Sequence, residues 1–301
     1  MLPDVRPHGR CRPARAVTSA RKGAILCTPT VVGATQITPS VPPSNLVQSP
    51  LEENLRGLRQ RLERAASAVG RRPDEIRILA VTKSVEPDVA ADMARLGLRD
   101  LGENRAPELE RKARALSAIE GSGAERVPEI RWHFIGHLQR NKARRVARIA
   151  AVIHSVDSLA LLETLERIAS EEDLQLSIYL QVDATGEARK TGFAPDAVRA
   201  AVLRAKACAH LELLGLMAMG PLAGQADRTT RAVFAEVAAL ARTLERDPAL
   251  IDVFADGRCR LSMGMSGDLE EAVRAGTDLV RVGGALFRGT STTANERPGA
   301  A

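Results

Sequence analysis

Aromatic side chains are nearly missing from this sequence. Phe, Trp and Tyr together make 2% of the 301 residues, with one Trp and one Tyr, although 45% of the chain is hydrophobic. A core of that size must be built from Leu, Val, Ile and Ala. Cysteine is sparse as well. Cys11 and Cys27 lie near the start, Cys208 and Cys259 far apart in the body, with no CxxC or metal-finger spacing. That pattern argues for free thiols in a reducing compartment. No apolar run reaches the roughly 18 residues expected of a membrane-spanning helix. Positive charge is scarce where a nucleic-acid surface would need it. Of the net +6, +5 falls in residues 1–50, where Arg6, Arg10, Arg12, Arg15, Arg21 and Lys22 face Asp4 alone, leaving +1 for the rest. A nearly neutral body argues against a nucleic-acid-binding domain. Lysine is rare too: six of the 43 basic residues are Lys. One of them, Lys83, ends the apolar run of "IRILAVTK".

Residues 1–50 show no helical or strand period and contain eight prolines. They are expected to form a disordered basic tail. Three origins fit: an Arg-rich transit segment, a weak secretory-type apolar run in "AILCTPTVVGA", or an upstream start codon. Residues 292–301 are expected to form a second disordered tail, after a folded body spanning 51–291.

From Leu51 the pattern becomes regular. Leucines at 51, 55, 58 and 62 make a helical stripe that stops at Gly70. Strand-like runs then alternate with helical ones. Strands are predicted at 76–82, 98–104, 130–136, 152–157, 177–183, 211–219, 259–263 and 279–287. Helices are predicted at 87–96, 106–119, 139–149, 158–170, 195–210, 228–244 and 269–275. Such alternation implies parallel strands covered by helices. Eight strands after one leading helix predict an α/β fold with a single (β/α)8 TIM barrel. The rival is an open doubly wound sheet, which usually begins with a strand and a glycine-rich first turn. Here the first turn is "TKSVEPD", with no glycine.

Chemistry in such barrels sits at the C-terminal strand ends. Strand one ends in Lys83 and strand two in "GEN", Gly102 to Asn104. The last two strands end in "LSMGMSGD" and "LVRVGGALFRG". Glycines 264, 267, 283 and 284 allow backbone N–H groups close to an anion, and Ser266-Gly267 opens a helix. Arg281 shares a strand face with Gly283. Strand eight closes against strand one, so Lys83 neighbours a candidate phosphate cradle. An amine in an apolar rim beside a phosphate site suits a phosphorylated aldehyde held as a Schiff base.

The motifs "LAVTK", "GENR", "WHFIGHLQRNK", "IHSVDS", "LMAM", "LSMGMSGD" and "VRVGGALFRG" occur in order over 51–289. In that order the chain resembles the pyridoxal phosphate homeostasis proteins, which share the barrel of the alanine racemase N-terminal domain. The resemblance implies pyridoxal 5'-phosphate as cofactor, joined to Lys83. It implies that Arg281 contacts the pyridine nitrogen, that Ser266, Gly267, Gly283 and Gly284 surround the phosphate, and that Asn104 lines the pocket. Family members often carry Ser or Thr where this chain has Gly284. They commonly begin near Leu51, which favours the upstream-start origin of the tail. The implied partners are pyridoxal phosphate and apo forms of the enzymes that use it, with no nucleic acid and no membrane. A cytoplasmic monomer is expected.

The same residues favour a carrier over an enzyme. Arginine cannot accept a proton from the ring nitrogen, so the ring is a poorer electron sink. A racemase of this barrel type also needs a second base, typically a tyrosine from an added domain; the one tyrosine here, Tyr179, lies within strand five. The competing functions are a fold-type-III amino acid racemase and a cofactor-free Schiff-base aldolase acting on a sugar phosphate.

Plainer readings stand beside these. Lys83 can be a solvated strand-end lysine. Arg281 can be a structural arginine paired with Asp278 or Glu103. His133 and His137 receive no catalytic role. The basic run "QRNKARRVAR" is read as a solvated helix face. Asp157 and Asp183 stand at strand ends without a clustered His or Cys partner in the sequence, and no metal site is expected. The loop "TGEARKTGF" is a possible lid or an ordinary connection.

Overall fold

A reciprocal cap opens the folded chain. The Glu52 amide donates to the Ser49 hydroxyl at 3.3 Å, and the Ser49 amide donates to the Glu52 carboxylate at 3.0 Å. This capping box, with Pro50 at the first helical position, starts α1 (Pro50–Ser67). The four leucines of the predicted stripe are all buried. Gly70 follows the helix with a φ of +69°, a left-handed conformation that glycine adopts at no steric cost. The computed structural model describes residues 49–121, 127–186, 191–221 and 228–290. The two predicted tails therefore lie outside the described residues, apart from Ser49 and Pro50, as does the middle of the loop between 185 and 193.

Eight parallel strands close into a barrel in chain order. They are β1 (Arg77–Val81), β2 (Asp100–Glu103), β3 (Arg131–Phe134), β4 (Val152–Val156), β5 (Leu176–Val182), β6 (Leu211–Ala218), β7 (Arg260–Ser262) and β8 (Leu279–Val282). Helices α2 (Pro87–Arg95), α3 (Ala106–Gly121), α4 (Arg140–Ala147), α5 (Leu159–Glu171), α6 (Val198–Lys206), α7 (Thr230–Glu245) and α8 (Leu269–Ala275) fill the intervals. The (β/α)8 TIM barrel read from the alternation is the fold observed. Closure pairs Leu79 with Arg281 and Ala80 with Val282, which sets β8 beside β1.

Nearly all the apolar core lies between strands and helices, as one continuous cluster from Leu51 to Phe287. Inside the barrel a small apolar group, Val152, Tyr179, Leu214 and Met217, is packed separately. The lumen also holds the buried polar side chains His133, His154, Ser262 and Arg281, and that departure from an all-aliphatic filling shapes the site described below.

Two predicted elements end early. β8 stops at Val282 instead of running to Phe287. The Leu286 and Phe287 amides both turn back onto the Gly283 carbonyl, at 2.9 and 3.1 Å, so the glycine pair makes a turn where apolar residues alone read as strand. The helix predicted over 195–210 is a 3-10 turn, Pro195–Ala197, followed by α6. Glu166 accepts the amides of Ala209 and His210 at 3.0 and 3.1 Å, and that side-chain cap turns the chain toward β6 despite its alanine-rich propensity.

Candidate functional site

β1 is a short apolar strand whose end is pinned by the Thr82 amide donating to the Gly102 carbonyl, 3.0 Å. Thr82 is buried and Lys83, the next residue, is exposed. A strand packed on both faces leaves a lysine only its end, where the ammonium keeps its water. The Val81 carbonyl lies 3.0 Å from where a Cβ on Gly283 would stand. Glycine thus gives the room where β8 leaves the barrel close beside β1, two residues from Lys83.

The loops after β7 and β8 are tied together. The Ala285 amide donates to the Ser266 hydroxyl at 3.4 Å, and Arg61 from α1 donates to the Ser266 carbonyl at 2.6 Å. The amides of Ser266, Gly267 and Gly284 have no partner among the described residues. Gly267 and Gly284 are exposed, and a Cβ on either would meet nothing within 4 Å. Asp268 precedes α8, and its side chain takes the Met265 amide at 2.5 Å instead of capping the helix, so the loop folds around its own carboxylate while those three N–H groups stay open.

Arg281 is 4% exposed. Its Nη1 donates to the carbonyl and hydroxyl of Ser262, at 2.5 and 2.9 Å, and its Nη2 to the Ala218 carbonyl at 3.0 Å. Burial lowers its pKa to about 10, against the pull of Asp268; it stays charged at neutral pH. Neither carboxylate proposed as its structural partner reaches it. Asp278 is held by Arg258 and the Leu261 amide, at 2.8 and 2.7 Å. Glu103 is held by Lys112 at 2.6 Å and Thr82 at 2.5 Å. The Nε–H and the second Nη2–H of Arg281 make no hydrogen bond among the described residues.

Asn104 follows β2 and is half-buried. Its carbonyl oxygen occupies the place of a Cβ on Gly136, 2.0 Å away, so the glycine of "HFIGH" lets the β2 and β3 loops close on each other. The structure thus brings Lys83, Gly283, Gly284, Ser266 and Gly267 to adjoining ends of β1, β7 and β8. Asn104 stands at the next strand end, and Arg281 lies deeper on β8.

Three arrangements escaped the sequence. The first is the Glu103–Lys112 pair, both side chains without solvent exposure; burial pushes the Glu103 carboxyl up against the pull of Lys112. The second is a buried line through the lumen. His133 Nε2 meets Asp100 at 3.0 Å, His133 Nδ1 meets His154 Nε2 at 2.8 Å, and His154 Nδ1 meets the Ser262 hydroxyl at 2.9 Å. The third is Tyr179, stacked on His154 with centroids 4.6 Å apart and its buried hydroxyl unpartnered among the described residues. Period-two alternation places His133 inward, but which histidine meets which depends on strand stagger.

The plainer readings are sorted by contact. His137 meets Asp157 at 3.1 Å across the loops after β3 and β4. Asp183 accepts the amide and hydroxyl of Thr185, at 3.0 and 2.7 Å. Among the described residues no group of three or more His, Cys, Asp or Glu could hold a metal. On α4, Arg144, Arg145 and Arg148 pair with Glu171, Glu110 and Glu172 of the flanking helices, as suits a solvated charged face. Cys208 and Cys259 are buried free thiols. No helix of the described residues is long and apolar enough to cross a membrane.

Barrel and strand-end chemistry together define a domain of the alanine racemase N-terminal type. Residues 52–291 match the family described as "Alanine racemase, N-terminal domain". Alanine racemase from Corynebacterium glutamicum, at 17% identity and a TM-score of 0.54, shares the fold over 83% of this chain and 64% of its own. The nearer likeness is narrower. The pyridoxal phosphate homeostasis protein of Pseudomonas aeruginosa is 37% identical over 240 residues, 79% of this chain and 95% of its own. That of Mycobacterium leprae is 35% identical over 249 residues, 80% and 93% of the two chains. The structure of PipY from Synechococcus elongatus with pyridoxal phosphate bound superposes with a TM-score of 0.65 at 32% identity, covering 79% of this chain and 99% of PipY. This chain belongs to the pyridoxal phosphate homeostasis protein family.

Proposed function

We propose that this protein binds pyridoxal 5'-phosphate at the C-terminal mouth of its barrel, as a Schiff base on Lys83, and buffers or delivers it. What carries the reading is an adjacency. Gly283 packs on Val81, so the open amides of the last two loops stand beside the strand end that presents the lysine. The names of the relatives and the ligand of PipY support the same cofactor.

Lys83 would hold the aldehyde group of bound pyridoxal phosphate through its amine, reversibly, with water lost on capture and taken up again on release. The amides of Ser266, Gly267 and Gly284, with Gly283 allowing the close approach, receive the phosphate. Asn104 lines the strand-two side. The free donors of Arg281 would hold the pyridine nitrogen, which in that contact serves as an acceptor. Bound pyridoxal phosphate supplies an electrophilic carbonyl and an electron-withdrawing ring. An arginine partner leaves that ring unprotonated, and the buried Tyr179, its pKa raised by burial, is withheld from acting as a second base. The set suits holding the aldehyde, with apo enzymes as recipients, better than turning over an amino acid.

Purified protein is expected to be yellow, with an imine band absent from Lys83→Ala. Borohydride should fix the cofactor mass on the peptide containing Lys83; a label on any other residue would refute the assignment. Rapid Lys83-dependent exchange of α-hydrogens of amino acids with solvent deuterium would instead make the protein a racemase-type enzyme.

A further inference from the structure

Five side chains from five strands form one hydrogen-bonded line inside the barrel: Asp100, His133, His154, Ser262 and Arg281, with successive contacts of 3.0, 2.8, 2.9 and 2.9 Å. Its direction follows from donor counting. Arg281 can only donate, so the Ser262 oxygen accepts and its proton goes to His154 Nδ1. His154 then carries its proton on Nε2 and donates to His133 Nδ1. His133 carries its proton on Nε2 and donates to Asp100, which as a carboxylate only accepts. Every donor finds one acceptor in this arrangement. An imidazolium at either position would put two donors face to face or leave the serine proton without a partner. Burial favours the neutral form of both rings.

The line joins opposite ends of the lumen. Arg281 has no carboxylate in contact: Asp268 acts on it only at a distance, and its orientation is left to the Ser262 and Ala218 oxygens. Asp100 begins β2, at the strand end remote from Lys83, and its side chain is 20% exposed. Four hydrogen bonds of one polarity connect them; two further Arg281 donors go to the Ser262 and Ala218 carbonyls, and the Nε–H and second Nη2–H are left for a ligand.

We propose that Asp100 is a positioning residue for the cofactor site: acting through His133, His154 and Ser262, it orients the Arg281 guanidinium, so that the free N–H groups meet a ring-nitrogen acceptor. This rests on the reading that Arg281 faces the pyridine nitrogen.

Two measurements on the full chain test it. Nitrogen-15 spectra of histidine-labelled, cofactor-free protein should show two buried neutral rings protonated at Nε2; a buried ring protonated at Nδ1, or an imidazolium at neutral pH, overturns the line. Titration with pyridoxal phosphate should give about fivefold weaker binding and a shifted imine band for Asp100→Asn, the effect of weakening one hydrogen bond. If that variant does not fold, Ser262→Ala cuts the line at its other end and carries the same expectation. Wild-type affinity and band position in a folded variant sink the role of Asp100 and leave the carrier reading standing. No binding by the unsubstituted chain sinks both.

Discussion

The Glu103 carboxylate and the Lys112 ammonium form an ion pair with no solvent exposure, 2.6 Å from oxygen to nitrogen, one residue before Asn104. Lys112 also donates to the Thr82 carbonyl at 2.5 Å, so the pair clamps the residue that precedes Lys83. Removing one partner strands the other charge in the interior, which typically costs about 3–5 kcal/mol. Lys112→Met should therefore lose stability of that order in urea unfolding. Adding Glu103→Gln should recover part of it, because no bare charge remains. A double variant no more stable than Lys112→Met would contradict the clamp.

Lys83 offers the opposite case. Its side chain is exposed and makes no hydrogen bond among the described residues. Lys83→Ala should abolish the imine band while changing stability by no more than ~0.5 kcal/mol, as for ordinary surface positions. Circular dichroism melts beside absorbance spectra check both halves.

Glycines near the mouth should differ sharply. At Gly136 a Cβ would stand 2.0 Å from the Asn104 carbonyl oxygen, so Gly136→Ala forces the β2 and β3 loops apart, at a cost of about 1–3 kcal/mol or more. At Gly284 a Cβ meets nothing. Gly284→Ser should fold normally and add a hydroxyl to the phosphate cradle, tightening cofactor binding about fivefold, the value of one hydrogen bond. Equal affinity, or a fall, would place the phosphate elsewhere.

The two lumen histidines make a pH prediction. Burial lowers the pKa of His133 and, further, of His154. In the unfolded chain both protonate near 6.5. Below that value the unfolded state binds more protons than the folded one, so stability rises with pH. The contribution is present above about 6.5 and is lost as pH falls toward the lowered folded values, by at most ~1.4 kcal/mol per pH unit for each ring. Urea unfolding of wild type and His133→Asn between pH 5 and 8 reads it; the variant should show the shallower slope.

Much of the fold is legible along the chain because its signals are local. Apolar runs of strand length alternate with 3.6-residue stripes, and each of the eight strands and eight helices overlaps the run that predicts it, with β8 and α6 shorter than their runs. The cap at Ser49 was equally readable, since serine three residues before Glu52 is a capping-box spacing; the apolar stripe begins only at Leu51 and hid it. The early end of β8 was harder, because Ala285, Leu286 and Phe287 continue an apolar run that the glycine pair turns aside.

The sequence by itself determined the barrel, the lysine at a strand end and the glycine-rich ends of the last two strands, because each is written in neighbouring residues. The tertiary structure alone decided the partners of Arg281, the burial of Lys112 against Glu103 and the meeting of His133 with His154. Those contacts span 9 to 63 positions in the chain. They depend on how far each strand is staggered when the sheet closes, and stagger is set by the packing of all eight βα units at once.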